Sequence, residues 1–213
     1  MAGEATHIRF ALDLASKYGV TDLKKYISGA VYPDSRYITK ISRDLTHPVD
    51  FALGELKGTD DFRKGWQTHL ICDQIQAEIT KEKLPDVFEG ELKAGSDVWV
   101  RLTALKVLQD YQDALQYDIS EYLPYLDYVE NPNGEDLGRL RKYNQIFQDE
   151  FSEEQLVLED CYDILKKFDV GAATAAKVKM QVEEYQNEKE IAEFLENIYD
   201  DMLERAKNEP LLA

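Results

Sequence analysis

Apolar residues recur three and four positions apart along almost the whole chain, and nowhere do they alternate with polar ones between hairpin turn signals. Spacing near 3.6 gathers such residues on one face of a helix, whereas a half-buried strand needs a period of two. The chain is therefore expected to be all-α, a compact multi-helix bundle. Ile8, Ala11, Leu12 and Ala15 mark a first helix ending near Gly19, and Thr21 is placed to cap a second that carries Leu23, Tyr26 and Ile27. Thr59 precedes a third, with Phe62, Trp66, Leu70 and Ile71 on one face, running to about Ile79. Ser96 opens a long fourth with a broad apolar face of Trp99, Leu102, Leu105, Val107 and Leu108. Ser120 is expected to cap a short helix before Pro124, and Ser152 with Gln155 and Asn187 with Glu190 are capping-box patterns for helices of the last third.

Two stretches break the pattern. From Gly29 to about Phe51, Pro33 and Pro48 bracket a polar segment that reads as an irregular loop, either functional or a plain connection. The string Asn131-Pro132-Asn133-Gly134 is the strongest turn signal in the chain. It divides a single expected domain, 1–213, into a helical core (1–130) and C-terminal helices (131–213).

Charge narrows the partners. Against 42 Asp and Glu stand 25 Lys and Arg, a formal charge of −17, so the mean surface field repels phosphate backbones and anionic headgroups. Nucleic acid and membrane are excluded as expected partners. Cys72 and Cys161 form no CxxC and no disulfide framework, which suits a reducing compartment. The N-terminus lacks a basic segment followed by an apolar one, and no run approaches the roughly 18 apolar residues of a membrane span. A cytoplasmic protein is the expectation.

All three histidines, His7, His47 and His69, fall in the first third of the chain. His69 and Asp73 are four apart on a predicted helix, so both project from one face one turn apart and can reach one ion. Imidazole with carboxylate suits zinc, manganese or iron(II) better than magnesium or calcium. His7 follows Thr6 at the start of the first helix; Thr46-His47-Pro48 presents an imidazole from a turn; Asp34 is held directly after Pro33. Separate hydrogen bonds for each histidine are the alternative reading of the same residues. Cys72, Trp66 and Trp99 read as core residues, the Tyr117, Tyr122, Tyr125 and Tyr128 group as half-buried packing, and Asp97 and Asp110 as carboxylates that nothing singles out for a second metal.

The ordered set Thr6-His7, Gly29, Pro33-Asp34, Thr46-His47 and His69 with Asp73 resembles the bacterial zinc-dependent phospholipase C family over about the first eighty residues. More loosely it is similar to HD-type metal phosphohydrolases. The resemblance implies a principal metal held by Asp34, His47, His69 and Asp73, with His7 completing it or serving a neighbouring one, and Asp34 as a candidate general base. The family's downstream histidines and HxxxE pair are absent, as is any adjacent His-Asp doublet, so one ion is expected, with two as the upper bound.

The implied activity is that of a metal-dependent phosphoester hydrolase (phosphatase or phosphodiesterase) using a metal-bound hydroxide, with zinc first and manganese or iron(II) as alternatives. Asp34 or Asp73 would orient or deprotonate the water. Arg36 is placed to meet the phosphate, and Tyr37, Lys40 and Arg43 make its segment locally basic; for Arg36 the plain alternative is pairing with a surface carboxylate. A small soluble phosphoester is the expected substrate. The competing expectation is a non-catalytic helical protein with a structural or vestigial metal site and an acidic partner-binding surface.

Overall fold

A computed structural model describes residues 3–48, 59–152 and 156–208, without the side chains of 160–163. Every regular element among them is helical. In chain order the α-helices are α1 (Glu4–Leu14), α2 (Leu23–Val31), α3 (Arg36–Thr39), α4 (Arg43–Thr46), α5 (Asp61–Lys83), α6 (Asp97–Gln116), α7 (Leu137–Phe151), α8 (Leu158–Lys167), α9 (Ala172–Tyr185) and α10 (Lys189–Asn208). Three 3-10 turns, Tyr32–Ser35, Pro85–Phe88 and Ser120–Asp127, join them. No helix among the described residues is long and apolar enough to cross a membrane.

Helix α5 is the spine, packed against α2, α1 and α10, while α6 joins α1 to α8 and α9. The main core runs through Ile8, Phe10, Leu14, Ile27, Ile75, Ile79, Leu105 and Phe147 into Val178, Val182 and Ile198. The tightest crossing lies between α2 and α5. A Cβ at Gly29 would sit 2.0 Å from the Phe62 carbonyl oxygen, and one at Gly65 would sit 1.9 Å from that of Tyr26. Only glycine permits backbones to approach so closely. That contact brings α5, one turn beyond Gly65, against the last turn of α2, where the histidine site is built.

Several boundaries differ from the sequence expectation, each for a local reason. The Pro-bracketed stretch is largely helical as far as Thr46: α2 runs to Val31 and is followed by a 3-10 turn and two four-residue helices. Such one-turn pieces are too short to show a hydrophobic period. Asp22, not Thr21, caps α2, accepting from the Lys25 backbone, because Thr21 instead donates to Asp61. Asp60, not Thr59, caps α5, and that helix continues to Lys83. Ser96 does cap α6, as expected. Ser120 caps nothing: Pro124 lies inside a 3-10 turn whose first residue it is. Asn187 ends α9 by donating to the Glu183 carbonyl and does not open α10. Gln155, proposed as the partner of Ser152, and residues 49–58, including Phe51, lie outside the described residues, as does the Cys161 side chain.

Candidate metal centre

The site is assembled around α5. His69 and Asp73 project from one face of it, as their spacing requires. His7 comes from the first turns of α1, Asp34 from the 3-10 turn after α2, and His47 from the end of α4. All five predicted residues therefore converge. The His7 and His69 rings stack with centroids 3.7 Å apart, and His47 meets His69 edge-on at 5.3 Å.

Asp73 is the hub. Its carboxylate lies 3.6 Å from His7 Nε2, 3.7 Å from His47 Nε2 and 3.8 Å from His69 Nε2. Asp34 Oδ1 is 3.8 Å from His47 Nε2. These separations are too long for hydrogen bonds. Ligands about 2.0–2.1 Å from one zinc ion lie roughly 3.3 Å from one another at tetrahedral angles, so the cluster is close to the spacing of a shared coordination shell. Two ligand groups, His7 with Asp34 and His69, and His47 with His69 and Asp73, each keep their donor atoms within 4.8 Å of one another. These His/Asp groups are placed to hold a metal ion.

Protonation agrees with that role. His69 Nδ1 lies 2.8 Å from the Ala30 carbonyl oxygen, to which it must donate, leaving Nε2 as a lone pair. Thr46 Oγ1 donates to the Arg43 carbonyl and so accepts from His47 Nδ1 at 2.9 Å, turning a second Nε2 lone pair toward the carboxylates. Such partners on the far nitrogen fix ring and tautomer in metal-ligating histidines. Burial keeps His69 neutral, its pKa lowered to about 4, and holds His7 well below the usual histidine range. Burial opposes the charge of Asp73, yet the positive N-terminal amino group and, after it, the surrounding imidazoles hold its carboxyl well below the usual carboxylate range.

The strongest observation is what these atoms lack. Both nitrogens of His7, Nε2 of His69 and both oxygens of Asp34 are buried with no hydrogen-bond partner, although each of these residues is 1% exposed. Buried polar atoms are nearly always satisfied, and an orphaned group costs about 1–3 kcal/mol. One nitrogen of His7, Nε2 of His69 and one oxygen of Asp34 lie within 4.8 Å of one another, so a single cation can satisfy one orphaned atom from each residue.

The cluster opens on one side. Asp34, His47 and Asp73 line a cleft of about 680 Å³, together with Arg36, Tyr37 and Arg43 from α3 and α4. Arg36 Nε is 3.6 Å from Asp34 Oδ1, so the arginine pairs with the site itself and not with a surface carboxylate. Trp99, expected in the core, lines this cleft as well, whereas Trp66 and Cys72 are buried and Tyr122, Tyr125 and Tyr128 pack half-buried. Asp97 is exposed beside Lys177, 3.6 Å away, remote in role from the cluster.

Sequence reasoning missed a second buried polar group. Glu4, Asp110 and Asp113 are all buried, the first accepting from Tyr143 Oη at 2.6 Å, the second from the Thr6 backbone at 2.8 Å, the third from Thr6 Oγ1 at 2.7 Å and Arg9 at 2.7 Å. Asp110 caps α1 from across the bundle. Gly3 makes room for it: a Cβ there would lie 1.9 Å from Asp110 Cγ. The available signal was that α1 lacks a capping side chain of its own, since Gly3 occupies that position. The chain matches no family model, no curated protein and no solved structure.

Proposed function

We propose that this protein is a metal-dependent hydrolase of small soluble phosphoesters, with zinc the first candidate ion and manganese or iron(II) the alternatives. The observation that carries the reading is that the His/Asp cluster, rich in orphaned donors, forms part of the wall of a cleft that also presents Arg36 and Arg43. One ion is proposed: both ligand groups share His69, and only one of its nitrogens is free to bind.

A divalent ion in this position supplies a Lewis acid toward a phosphoryl oxygen and acidifies a water. The protein's own residues do the rest. His7 and His69, absent from the cleft lining, anchor the ion, while Asp34, His47 and Asp73 face the substrate side. Asp73, held in its charged form, and Asp34 are the carboxylates that orient the attacking water and accept its proton. Arg36 carries a permanent charge toward a non-bridging phosphoryl oxygen, and its Nη2 donates to the Tyr37 hydroxyl, which fixes the guanidinium. The resemblance to the zinc-dependent phospholipases supports the reaction class; the cleft charge supports an anionic substrate.

The test is a phosphatase and phosphodiesterase panel with protein purified without chelator and supplied with zinc, manganese or iron(II). Metal-dependent turnover is expected from the wild type. Arg36→Ala should raise KM more than it lowers kcat. Equal turnover by wild type and Asp73→Ala, or the absence of stoichiometric metal by elemental analysis, refutes the reading.

A further inference from the structure

His47 differs from the other residues of the His/Asp cluster in how it is carried. His69 and Asp73 sit within the long helix α5, His7 within α1, and Asp34 in the 3-10 turn that continues α2. His47 instead follows α4, a helix of four residues packed on that turn. A single turn of helix fixes several backbone angles for one hydrogen bond and does not hold itself together in water. The last carbonyls of such a helix are also left without intrahelical partners. Something outside α4 therefore sets where its final residues, and with them His47, come to rest.

Two of those carbonyls are taken by side chains from other elements. The indole Nε1 of Trp66 donates to the Thr46 carbonyl oxygen at 2.7 Å, and Asn133 Nδ2 donates to that of Leu45 at 3.3 Å. The indole bond is buried and the asparagine bond exposed, so the first is the stronger constraint. Trp66 is itself closely held. Its ring meets that of Tyr32 edge-on at 4.9 Å and belongs, with Tyr32, Phe62 and Leu140, to a small apolar cluster separate from the main core. Gly65, the residue before it, lies at the close crossing of α5 with α2, which fixes α5 at this level. Phenylalanine would fill the same cluster; the indole adds one donor, and a buried indole N–H needs a partner. Here that partner is the carbonyl of the residue immediately before His47.

We infer that Trp66 is a positioning residue of the metal centre: its indole N–H fixes the Thr46–His47 peptide and so sets His47 Nε2 against Asp73 and Asp34. Trp66 precedes His69 by three positions on α5, so the helix that carries His69 and Asp73 also carries the donor that registers His47 against them. The ligand group of His47, His69 and Asp73 is thereby referenced to one rigid element. The contacts act in series. Trp66 sets the Thr46 peptide, Thr46 Oγ1 accepts from His47 Nδ1 at 2.9 Å, and Nε2 is left 3.7 Å from Asp73 Oδ2 and 3.8 Å from Asp34 Oδ1. The inference rests on the metal-binding part of the hydrolase reading and not on turnover.

Zinc dissociation constants of the full-length protein are measured by competition with a chromophoric chelator. Trp66→Phe, which keeps an aromatic ring in the cluster and removes the donor, should weaken zinc binding by about tenfold to a hundredfold, the range for a lost partner behind a metal ligand. Replacement of Trp66 by 3-benzothienylalanine keeps the bicyclic shape and also lacks the N–H; it should fold as the wild type does and show a loss of the same size. In a His47→Ala background either change should alter zinc affinity by about twofold or less, since a residue that acts through His47 has nothing left to position. Val178→Ala, a cavity in the fully buried face of α9, should lower the melting temperature yet leave zinc affinity within about twofold of wild type. A purely structural role for Trp66 does not produce that pattern.

Unchanged zinc affinity on removal of the N–H overturns the inference, as does a loss of the same size in the His47→Ala background or in Val178→Ala. A wild type that takes up no zinc overturns it as well. Turnover by a protein whose zinc affinity is indifferent to the Trp66 N–H defeats this inference and leaves the hydrolase reading standing; a zinc loss that vanishes with His47, in a protein without turnover, does the reverse.

Discussion

Helix α1 contributes to two buried polar groups that differ in one respect. In the carboxylate group of Glu4, Asp110 and Asp113, each side chain accepts a hydrogen bond from Tyr143, Thr6 or Arg9. In the His/Asp cluster, as deeply buried, the side chains of His7 and Asp34 make no hydrogen bond and meet Asp73, Arg36 and His47 only at 3.6–3.8 Å. The first group is closed and holds α1 onto α6 and α7. The second has donor atoms to spare, and a folded chain tolerates that where something else completes them. Satisfaction, more than burial or charge, separates a structural polar cluster from a functional one.

The sharpest break between the two is chemical. Asp73→Ala should lower metal-dependent turnover by at least about a thousandfold, since it removes the carboxylate about which three imidazoles gather. Its apo form should also be less stable than wild type at neutral pH, because folding depresses the pKa of this carboxyl and the ionised group therefore contributes stability. Kinetics and urea unfolding on the same preparation check both halves.

Metal addition should separate the groups next. Zinc at about a thousand times its dissociation constant should stabilise the wild type by about 4 kcal/mol and Asp73→Ala by far less. Thermal unfolding with zinc and with chelator measures the difference. Asp110→Ala should behave in the opposite way. It removes the trans cap of α1 and should cost about 2 kcal/mol, while the zinc-induced gain stays near that of wild type. Loss of the zinc effect in Asp110→Ala would show that the carboxylate group is part of the site.

The sequence exposed the unsatisfied group far better than the satisfied one. Histidine is rare in this chain, so His7, His47 and His69 stand out, and the four-residue step to Asp73 states a helix face directly. Pro33 and Pro48 flag turns beside Asp34 and His47. Asp110 and Asp113, by contrast, are two of 42 acidic residues, and their partners lie more than a hundred positions away in sequence. No local pattern encodes such a contact. The same holds for Ala30, whose carbonyl orients His69, and for Lys93, whose place in the cleft depends on how α9 meets the loop before α6. Gly29 stood in the sequence only as the start of an irregular segment; the crossing of α2 and α5 shows that Gly29 and Gly65 each clear space for the other backbone.

The smallest expected effect is a near-cancellation in pH dependence, and it tests the comparison most finely. In the apo protein His69 has its pKa lowered from 6.5 to about 4 by burial. Between those values the unfolded state holds a proton that the folded state does not, so this group makes stability rise with pH, and it is lost as pH falls. His7 acts in the same direction. Asp110, raised by burial from 3.8 to about 7, does the opposite: across the same interval the folded state holds the extra proton, and stability falls as pH rises. Glu4, pushed up by burial and by Asp34 and Asp110, and Asp113, raised by burial, join it. Between about pH 4 and 6.5 the two groups therefore pull against each other, and wild-type stability in chelator should change little. Asp110→Asn removes one falling contribution and should make stability climb with pH, whereas His69→Gln removes a rising one and should make it decline. Urea midpoints at half-unit pH steps for the three proteins decide it: parallel curves would mean that the two clusters do not titrate as independent, opposed units.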